Sequence, residues 1–240
     1  MLLAIDAGNT DVKYAFHDGH TWLLQQRVAL NDFCVAPKQY LQQLPKQVLI
    51  ANVAGPQFKL ALEAAFPSNS LQWVKSTTHA CGVTNLYDCP EQLGVDRWAM
   101  LIAARAVTQQ PCVVASLGTA LTVDMLLEEK YLGGVIAPGL QLMRSALTQG
   151  TYAVQPSNGH IKWLPTNTAD AVATGLLYAI LGVIEKSIFE LEKHTQRPVL
   201  CILTGGNAPD VAPYLNRPVQ VMDNLVLDGL LQLTRTENSL

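Results

Sequence analysis

The stretch MLLAIDAGNTDVKYAF, residues 1–16, predicts two strands joined by a glycine turn. An apolar run ends at Ile5 and is followed by the polar turn 6–10, which reads Asp-Ala-Gly-Asn-Thr. A second apolar run, 12–16, then resumes the extended pattern. The turn therefore lies at the end of a buried strand, where a loop that contains glycine can approach a ligand closely.

A weaker copy of this pattern occurs later in the chain. Residues 112–135 also have the order strand, glycine turn, strand, charged turn and strand, and Gly118 follows Gly8 by 110 positions. Strand and helix patterns alternate elsewhere, which predicts an α/β fold. We therefore predict two domains of similar topology, an N-terminal half of residues 1–110 and a C-terminal half of residues 111–240.

The composition argues against several classes of protein. Of the 240 residues 49% are hydrophobic and 15% are charged, which excludes a disordered chain. The net charge of −3 argues against a nucleic-acid partner, which usually requires a basic domain. No apolar run reaches the roughly 18 residues of a membrane span, and residues 2–5 lack the basic start of a signal peptide. We therefore expect a cytoplasmic protein without a membrane or nucleic-acid partner.

The cysteines and histidines do not have the spacing of a disulfide framework or a zinc site. The five cysteines are odd in number and include no C-x-x-C pair, and the five histidines include no H-E-x-x-H. Reduced thiols are typical of cytoplasmic proteins, so the cysteines agree with the predicted location.

Three predicted strands end in glycine and a small polar residue, at 6–10, 116–119 and 204–207. Successive backbone N–H groups in such turns form a concavity that binds anions such as phosphate. An aspartate at a strand end, here Asp6, is able to hold Mg²⁺, usually through water. Tight turns without any ligand have the same residues, so the pattern leaves both interpretations open.

The stretch YDCPEQLGVDRW, residues 87–98, ends at the predicted start of a helix. Asp96 could accept a proton from a substrate hydroxyl, and Arg97 could bind an anion through two hydrogen bonds. The alternative is structural, with Asp96 capping the helix and Arg97 as a surface charge. The absence of G-x-x-x-x-G-K-[ST], G-x-G-x-x-G and G-x-S-x-G argues against a Walker-A NTPase, a Rossmann fold and an α/β-hydrolase.

Taken in order, these clusters resemble the type III pantothenate kinases, a family that includes the Bvg accessory factor-like proteins. The match extends over nearly the whole chain, and the six motifs are specific together although each is weak alone. The motifs are Asp6-Ala7-Gly8-Asn9-Thr10, Gly94-Val95-Asp96-Arg97, Gly118-Thr119-Ala120 with Thr122 and Asp124, Gly133-Gly134 with Pro138-Gly139, Asn167-Thr168, and Thr204-Gly205-Gly206.

The resemblance implies a fold and an activity. The fold would be actin-like, with two ribonuclease-H-like halves of mixed sheets flanked by helices. The activity would be ATP-dependent phosphorylation of pantothenate to 4'-phosphopantothenate, the first step of coenzyme A biosynthesis. The protein would be a homodimer whose active sites are shared between the two subunits.

The resemblance also implies roles for individual residues. The ATP-binding residues would be Asp6, Ala7, Gly8, Asn9, Thr10, Asp11, Val12, Lys13 and Thr119. The pantothenate-binding residues would be Tyr87, Gly94, Val95, Asp96, Arg97 and, across the dimer interface, Thr168. Asp96 would be the catalytic base, and Asp6 would hold Mg²⁺ through water.

One position departs from the family pattern. The family usually has an aspartate two residues before the glycine of the second turn, where it binds an activating K⁺ or NH₄⁺, and this chain has Ser116 there. A neutral hydroxyl is a poorer cation ligand than a carboxylate. We therefore expect weaker, altered or absent binding of a monovalent cation, and Asp124, eight residues later, is not assumed to replace the missing carboxylate.

Two other functions stay open at this stage. A regulatory relative could keep the fold and lose turnover, a possibility that only Ser116 favours and that the retention of Asp6, Asp96 and Arg97 opposes. A kinase of the same superfamily could act on another small molecule that carries a hydroxyl.

Overall fold

The computed structural model describes residues 1–42, 44–152 and 158–237. Its contacts divide the chain into two compact units. The first unit contains Met1–Thr108 together with Asn224–Leu240, and the second contains Gln109–Asp223.

The strands of the described residues are numbered in chain order. They are β1 (Leu2–Ala7), β2 (Asp11–His17), β3 (Trp22–Ala29), β4 (Gln47–Asn52), β5 (Gln72–Trp73), β6 (His79–Ala80), β7 (Val83–Asn85), β8 (Cys112–Leu117), β9 (Ala120–Leu127), β10 (Lys130–Pro138), β11 (Leu200–Thr204) and β12 (Val219–Val221).

The helices are numbered in the same way. They are α1 (Leu30–Val35), α2 (Pro37–Tyr40), α3 (Pro56–Ala65), α4 (Val95–Val107), α5 (Leu140–Gly150), α6 (Thr168–Thr195), α7 (Ala208–Val211) and α8 (Leu225–Glu237). Single turns of 3₁₀ helix occur at Ser68–Ser70, Pro90–Gln92 and Ala212–Tyr214.

The two units contain sheets of the same mixed topology. The strand order is β3-β2-β1-β4-β5 in the first unit and β10-β9-β8-β11-β12 in the second. In the first unit β1 pairs antiparallel with β2 and parallel with β4. In the second unit β8 pairs in the same two ways with β9 and β11. The repeated sequence pattern therefore corresponds to a repeated sheet, as predicted.

Helices cover the sheets because the central strands are apolar on both faces. In the first unit, one face of the sheet packs on Phe33 of α1 and Phe58 of α3. The other face packs on Val95 of α4 and on α8. In the second unit α6 supplies a row of buried side chains at helical spacing to the core over β8, β9 and β11. Mixed sheets flanked by helices are the predicted class of fold.

The C-terminal helix belongs to the first unit, which differs from the predicted half of residues 111–240. Leu227 and Leu230 of α8 are buried in the core over β1 and β4. A Cβ atom on Gly229 would lie 1.9 Å from the Ala99 carbonyl oxygen, so α8 crosses α4 at a distance that only glycine permits. The Trp22 indole N–H also donates to the Asp228 carboxylate at 2.9 Å. Neighbours distant in sequence therefore decide where this helix packs.

Helix α6 is long and apolar enough, by length and composition alone, to cross a membrane, with a mean hydropathy of 1.6 over an 18-residue window. Asp170, Glu185 and Lys186 interrupt its sequence, so it contains no uninterrupted apolar run of 18 residues. Its apolar side chains Leu177, Ile184 and Ile188 lie in the core of the second unit. Its N-cap is Asn167, whose side chain accepts the Asp170 N–H at 2.9 Å.

Candidate functional site

The first glycine turn is held at the end of the buried central strand β1. The Gly8 N–H donates to the Asp11 carbonyl at 3.0 Å and closes the turn, whose tip residues Asn9 and Thr10 are exposed. Asp11 faces away from this tip and accepts the Arg27 Nε–H at 2.9 Å. The turn therefore presents a backbone loop and two small polar side chains to solvent, an arrangement that suits a phosphate.

The Asp6 carboxyl of the first unit has a strongly raised pKa. Asp6 lies directly opposite Lys13 in the antiparallel pair of β1 and β2. Burial raises the pKa of its carboxyl from the usual 3.8 to about 7; Lys13 opposes this rise and Asp96 adds to it. Two carboxyl groups and one ammonium group of the predicted site thus influence one another within the first unit.

The donor set around Asp6 fits a hard cation with few protein ligands. No cluster of three His, Cys, Asp or Glu side chains that could hold a metal occurs in the described part of the chain. Mg²⁺ typically keeps several waters and uses one or two carboxylates, and a cation would offset the cost of ionising the buried Asp6. Asp6 is therefore able to hold Mg²⁺, whereas a structural metal cage is absent from the described residues.

Helix α4 begins with the predicted substrate motif. Gly94 is its N-cap, so Asp96 is the second residue of the helix and not its N-cap residue. Asp96 lies in the first turn, where the helix dipole favours a negative charge. A Cβ atom on Gly94 would be 2.6 Å from the Asp96 Oδ1 atom. The glycine leaves the space that the carboxylate occupies.

Arg97 is buried, with only 4% of its surface exposed, which excludes the surface-charge interpretation. Its Nη1 donates to the Tyr87 hydroxyl at 3.1 Å, and its guanidinium carbon lies 5.8 Å from the centre of the Tyr87 ring. The Tyr87 N–H donates to the side-chain oxygen of Asn85 at 3.0 Å. The structure therefore brings Tyr87 and Arg97 together, as predicted, and adds Asn85 as a residue that holds the loop.

Asn85 was not predictable from the sequence because an asparagine at the end of a short strand has no distinctive pattern. It is 3% exposed, and its Nδ2 donates to the Pro90 carbonyl at 3.2 Å. The proline-containing turn that follows Tyr87 was the only available signal. Asn85 thus connects the two ends of the loop that carries Tyr87.

Three glycine motifs of the second unit meet around one turn. The Gly139 N–H donates to the Thr119 carbonyl at 3.1 Å, and a Cβ atom on Gly139 would lie 2.3 Å from the Gly118 carbonyl oxygen. Gly205 has a φ of +93°, and a Cβ there would lie 2.7 Å from the Leu117 carbonyl oxygen. These contacts explain why glycine occurs at positions 139 and 205. They leave the side chain of Thr119 at an exposed turn.

Asn207, a residue with no function predicted from the sequence, contacts the same turn from the third glycine loop. Its backbone N–H donates to the Leu117 carbonyl at 3.2 Å, and its Nδ2 lies 3.5 Å from the same oxygen. Asn207 therefore fixes the end of β8 from the third glycine loop.

The surroundings of Ser116 do not supply a carboxylate for a monovalent cation. Ser116 lies opposite Thr122 in the β8–β9 pair, and the Thr122 hydroxyl is buried without a hydrogen-bond partner in the described structure. Asp124 is fully buried and accepts the Tyr131 hydroxyl at 2.9 Å. It pairs with Val114 rather than with Ser116. The residues present therefore do not fit the family's cation site.

Thr168 is the first residue of α6 and lines a pocket of the second unit. The pocket has a volume of about 790 Å³ and is lined by Leu147, Pro165, Thr166, Asn167, Thr168, Ala171, Val172, Gly175 and Leu176. Trp163 and Leu164, which immediately precede it in the chain, are 84% and 67% exposed. An apolar surface thus adjoins a pocket that has hydroxyl and amide groups at one end.

Comparisons with known proteins agree with these features. A family model described as type III pantothenate kinase matches residues 2–190. A type III pantothenate kinase of Nitrosospira multiformis is 40% identical over 239 residues, which cover 98% of this chain and 91% of that protein.

Solved structures extend the comparison to the fold. A Baf family transcriptional activator from Campylobacter jejuni has a TM-score of 0.62 at 20% identity and covers 99% of this chain and 100% of its own. A 2-dehydro-3-deoxygalactonokinase protein from Sinorhizobium meliloti has a TM-score of 0.63 at 13% identity, with both chains fully covered. At these identities the likeness concerns the fold alone. Together with the repeated mixed sheets, it confirms the predicted actin-like fold.

The raised pKa of Asp6 leads to a prediction about pH. We expect its carboxyl to titrate near pH 7 in the ligand-free protein, and the Asp96→Asn substitution to lower that pKa because a neighbouring negative charge is removed. Carbon-detected NMR of the aspartate carboxyls measures this. Asp18 is the internal control, because hydrogen bonds from the Thr21 and His20 N–H groups lower its pKa.

The same group makes stability depend on pH. Because the folded pKa lies above the unfolded value of 3.8, its contribution to stability is present below pH 3.8 and is lost as the pH rises to about 7. The Asp6→Asn protein should therefore have a higher Tm than the wild type at pH 8 and lose this advantage at pH 4. An Asp6 that titrates near pH 4 would contradict its desolvated position.

Proposed function

Because this chain belongs to the type III pantothenate kinase family, we propose that it transfers the γ-phosphoryl group of ATP to the hydroxyl group of pantothenate. The product would be 4'-phosphopantothenate, in the first step of coenzyme A biosynthesis. The observation that carries the proposal is the buried Arg97, whose Nη1 donates to the Tyr87 hydroxyl at 3.1 Å in the first turn of the helix that also carries Asp96. The half-buried carboxyls of Asp6 and Asp96, with Lys13 opposite Asp6, suit a reaction that moves a proton and a phosphoryl group.

We assign the ATP phosphates to the loop 6–13 and, in the second unit, to Thr119. The exposed tip of the first turn offers backbone N–H groups, and Lys13 offers a positive charge. Asp6 would hold Mg²⁺ through water, and the ion would neutralise charge on the β- and γ-phosphates when bound. Most of the catalytic effect in phosphoryl transfer comes from such positioning and charge neutralisation.

We assign pantothenate to Tyr87 and to 94–97. Asp96 accepts the proton of the substrate hydroxyl as the hydroxyl oxygen forms its bond to the γ-phosphorus, and the bond to the bridging oxygen breaks to release ADP. The Arg97 guanidinium, oriented by Tyr87, would bind the carboxylate of pantothenate. The backbone of Gly94 and Val95 would lie beside the substrate at the helix N-terminus.

Loss of the base tests the mechanism. We expect Asp96→Asn to lower kcat with pantothenate by about 10²–10⁴-fold, the usual contribution of a positioned general base. A coupled assay of ADP release measures this. Asp88→Asn, which removes an exposed carboxyl from the same loop, is the matched control and should keep normal turnover.

The same assay separates the alternatives. The wild type should release ADP with pantothenate and not with a panel of polyols. Release with a polyol alone would indicate another small-hydroxyl kinase, and no release with any acceptor would favour a regulatory relative. Near-normal turnover of Asp96→Asn would contradict the role of Asp96.

We propose that the enzyme is independent of monovalent cations, because Ser116 lacks a carboxylate and Asp124 is bonded to Tyr131. Replacing KCl by tetramethylammonium chloride should change wild-type activity less than about twofold, whereas Ser116→Asp should gain activation by K⁺. Ser116→Asn is the uncharged control. Strong activation of the wild type by K⁺ or NH₄⁺ would contradict this proposal.

We also propose a homodimer with shared active sites. The side chains of Trp163, Leu164 and Tyr178 are exposed, Trp163 and Leu164 directly precede the pocket residue Pro165 in the chain, and a second copy would cover such apolar side chains. Thr168 would then reach pantothenate in the partner's site. We expect sedimentation at about twice the chain mass of 26.1 kDa, and a smaller species for Leu164→Glu. A fully active wild-type monomer would contradict the shared site.

A location follows from these substrates. ATP and a precursor of coenzyme A are cytoplasmic metabolites, and we place the enzyme in the cytoplasm. Its net charge of −3 does not favour a nucleic-acid partner.

A further inference from the structure

The buried carboxylate of Asp170, in the first turn of α6, binds the segment that precedes this helix. Only 5% of the Asp170 side chain is exposed, and it accepts three hydrogen bonds. The donors are the His160 backbone N–H at 2.7 Å, the Asn167 Nδ2 at 2.8 Å and the Lys162 Nζ at 2.7 Å. All three partners are donors, so the site requires a group that only accepts.

A second contact lies one helical turn further along. The Lys162 backbone N–H donates to the Thr174 hydroxyl at 3.1 Å, and Thr174 is 2% exposed. Asp170 and Thr174 are four residues apart and therefore lie on the same face of α6. The segment thus runs along the helix and is bonded to it at two successive turns.

Close backbone contact completes the attachment. A Cβ atom on Gly159 would lie 2.0 Å from the Ala169 carbonyl oxygen and 2.3 Å from its carbon. No side chain fits there, so the backbone of the segment packs directly on the first turn of α6. We call residues 158–164, with these bonds to α6, the strap.

The strap leads directly into the pocket that Thr168 lines. Residues 165–168 follow it in the chain and line the pocket of about 790 Å³. Asn167 lines the pocket and is also bonded to Asp170, because its Nδ2 donates to the Asp170 carboxylate while its Oδ1 accepts the Asp170 N–H at 2.9 Å. Asp170 does not line the pocket, yet it determines the position of the residues that do.

We propose that Asp170 is a positioning residue, which holds the strap on α6 and thereby orients Thr168 towards pantothenate. This inference rests on the proposed function for its substrate. The Lys162 ammonium and the His160 N–H keep the pKa of Asp170 well below its usual range, which agrees with a carboxylate that stays ionised. An asparagine at position 170 would have the same shape as the aspartate, but its NH₂ group would face groups that are themselves donors. It would therefore lose hydrogen bonds that the carboxylate accepts.

The Asp170→Asn enzyme tests the inference in two ways. Hydrogen exchange followed by mass spectrometry should show faster exchange in residues 158–168 of the ligand-free protein, with the rest of α6 unchanged. The KM for pantothenate should rise about 10- to 100-fold, the effect of losing a hydrogen bond to a charged group, while kcat and the KM for ATP change less than about threefold. If Asp170 only supported folding, its loss would not raise the KM for pantothenate selectively over kcat and the KM for ATP.

A second variant and a matched control keep the test decisive. Lys162→Met removes an exposed donor and leaves Asp170 in place, so it should change exchange and the KM for pantothenate in the same direction, even if Asp170→Asn does not fold. Glu190→Gln removes a carboxylate from the exposed Lys186–Glu190 pair of the same helix and should change neither.

Unchanged exchange in 158–168 for both variants would overturn the strap. Faster exchange with an unchanged KM for pantothenate, or with a loss of kcat instead, would overturn the positioning role. Hydrogen exchange does not require an active enzyme. If the wild type fails to phosphorylate pantothenate, the proposed function is overturned, and the exchange data still show whether Asp170 holds the strap on α6.

Discussion

Burial of the Asp6 carboxyl is the constraint on which the candidate site of the first unit depends. Asp6 is the second-last residue of the central strand β1. The strands on either side of β1 therefore remove much of the contact between Asp6 and water. Lys13 offsets part of the cost because the antiparallel register places it directly opposite. The chain thus keeps a carboxyl whose ionisation is unfavourable at a place where a bound cation would relieve the cost, a compromise that is common at functional sites.

In the second unit, the corresponding turn is surrounded by the backbones of glycine loops and not by charged side chains. The central strand β8 of this unit also ends in a turn, but the loops around that turn approach through their backbones, as the positions of Gly139 and Gly205 show. The same sheet topology therefore supports two different surfaces. One is defined by charged side chains and the other by backbone groups that larger residues would cover.

Much of this could be predicted from the sequence because it depends on neighbours along the chain. The alternation of apolar residues around the Gly8 and Gly118 turns was enough to predict the repeated sheet. Burial of Arg97 against Tyr87, the N-cap role of Asn167 and the roles of Asn85 and Asp170 were not predictable in this way, because each depends on a hydrogen bond with no pattern of its own. The path of α8 depends on packing against elements more than a hundred residues away.

The return of α8 to the first unit has a consequence for synthesis on the ribosome. The second unit is a continuous stretch, Gln109–Asp223, and all of its strands have been made before α8 begins. The first unit is interrupted, and its core over β1 and β4 lacks Leu227 and Leu230 until translation is nearly finished. The part of the protein that is made first is therefore the last to complete its core, and a chain that ends early would leave that apolar face of the sheet uncovered.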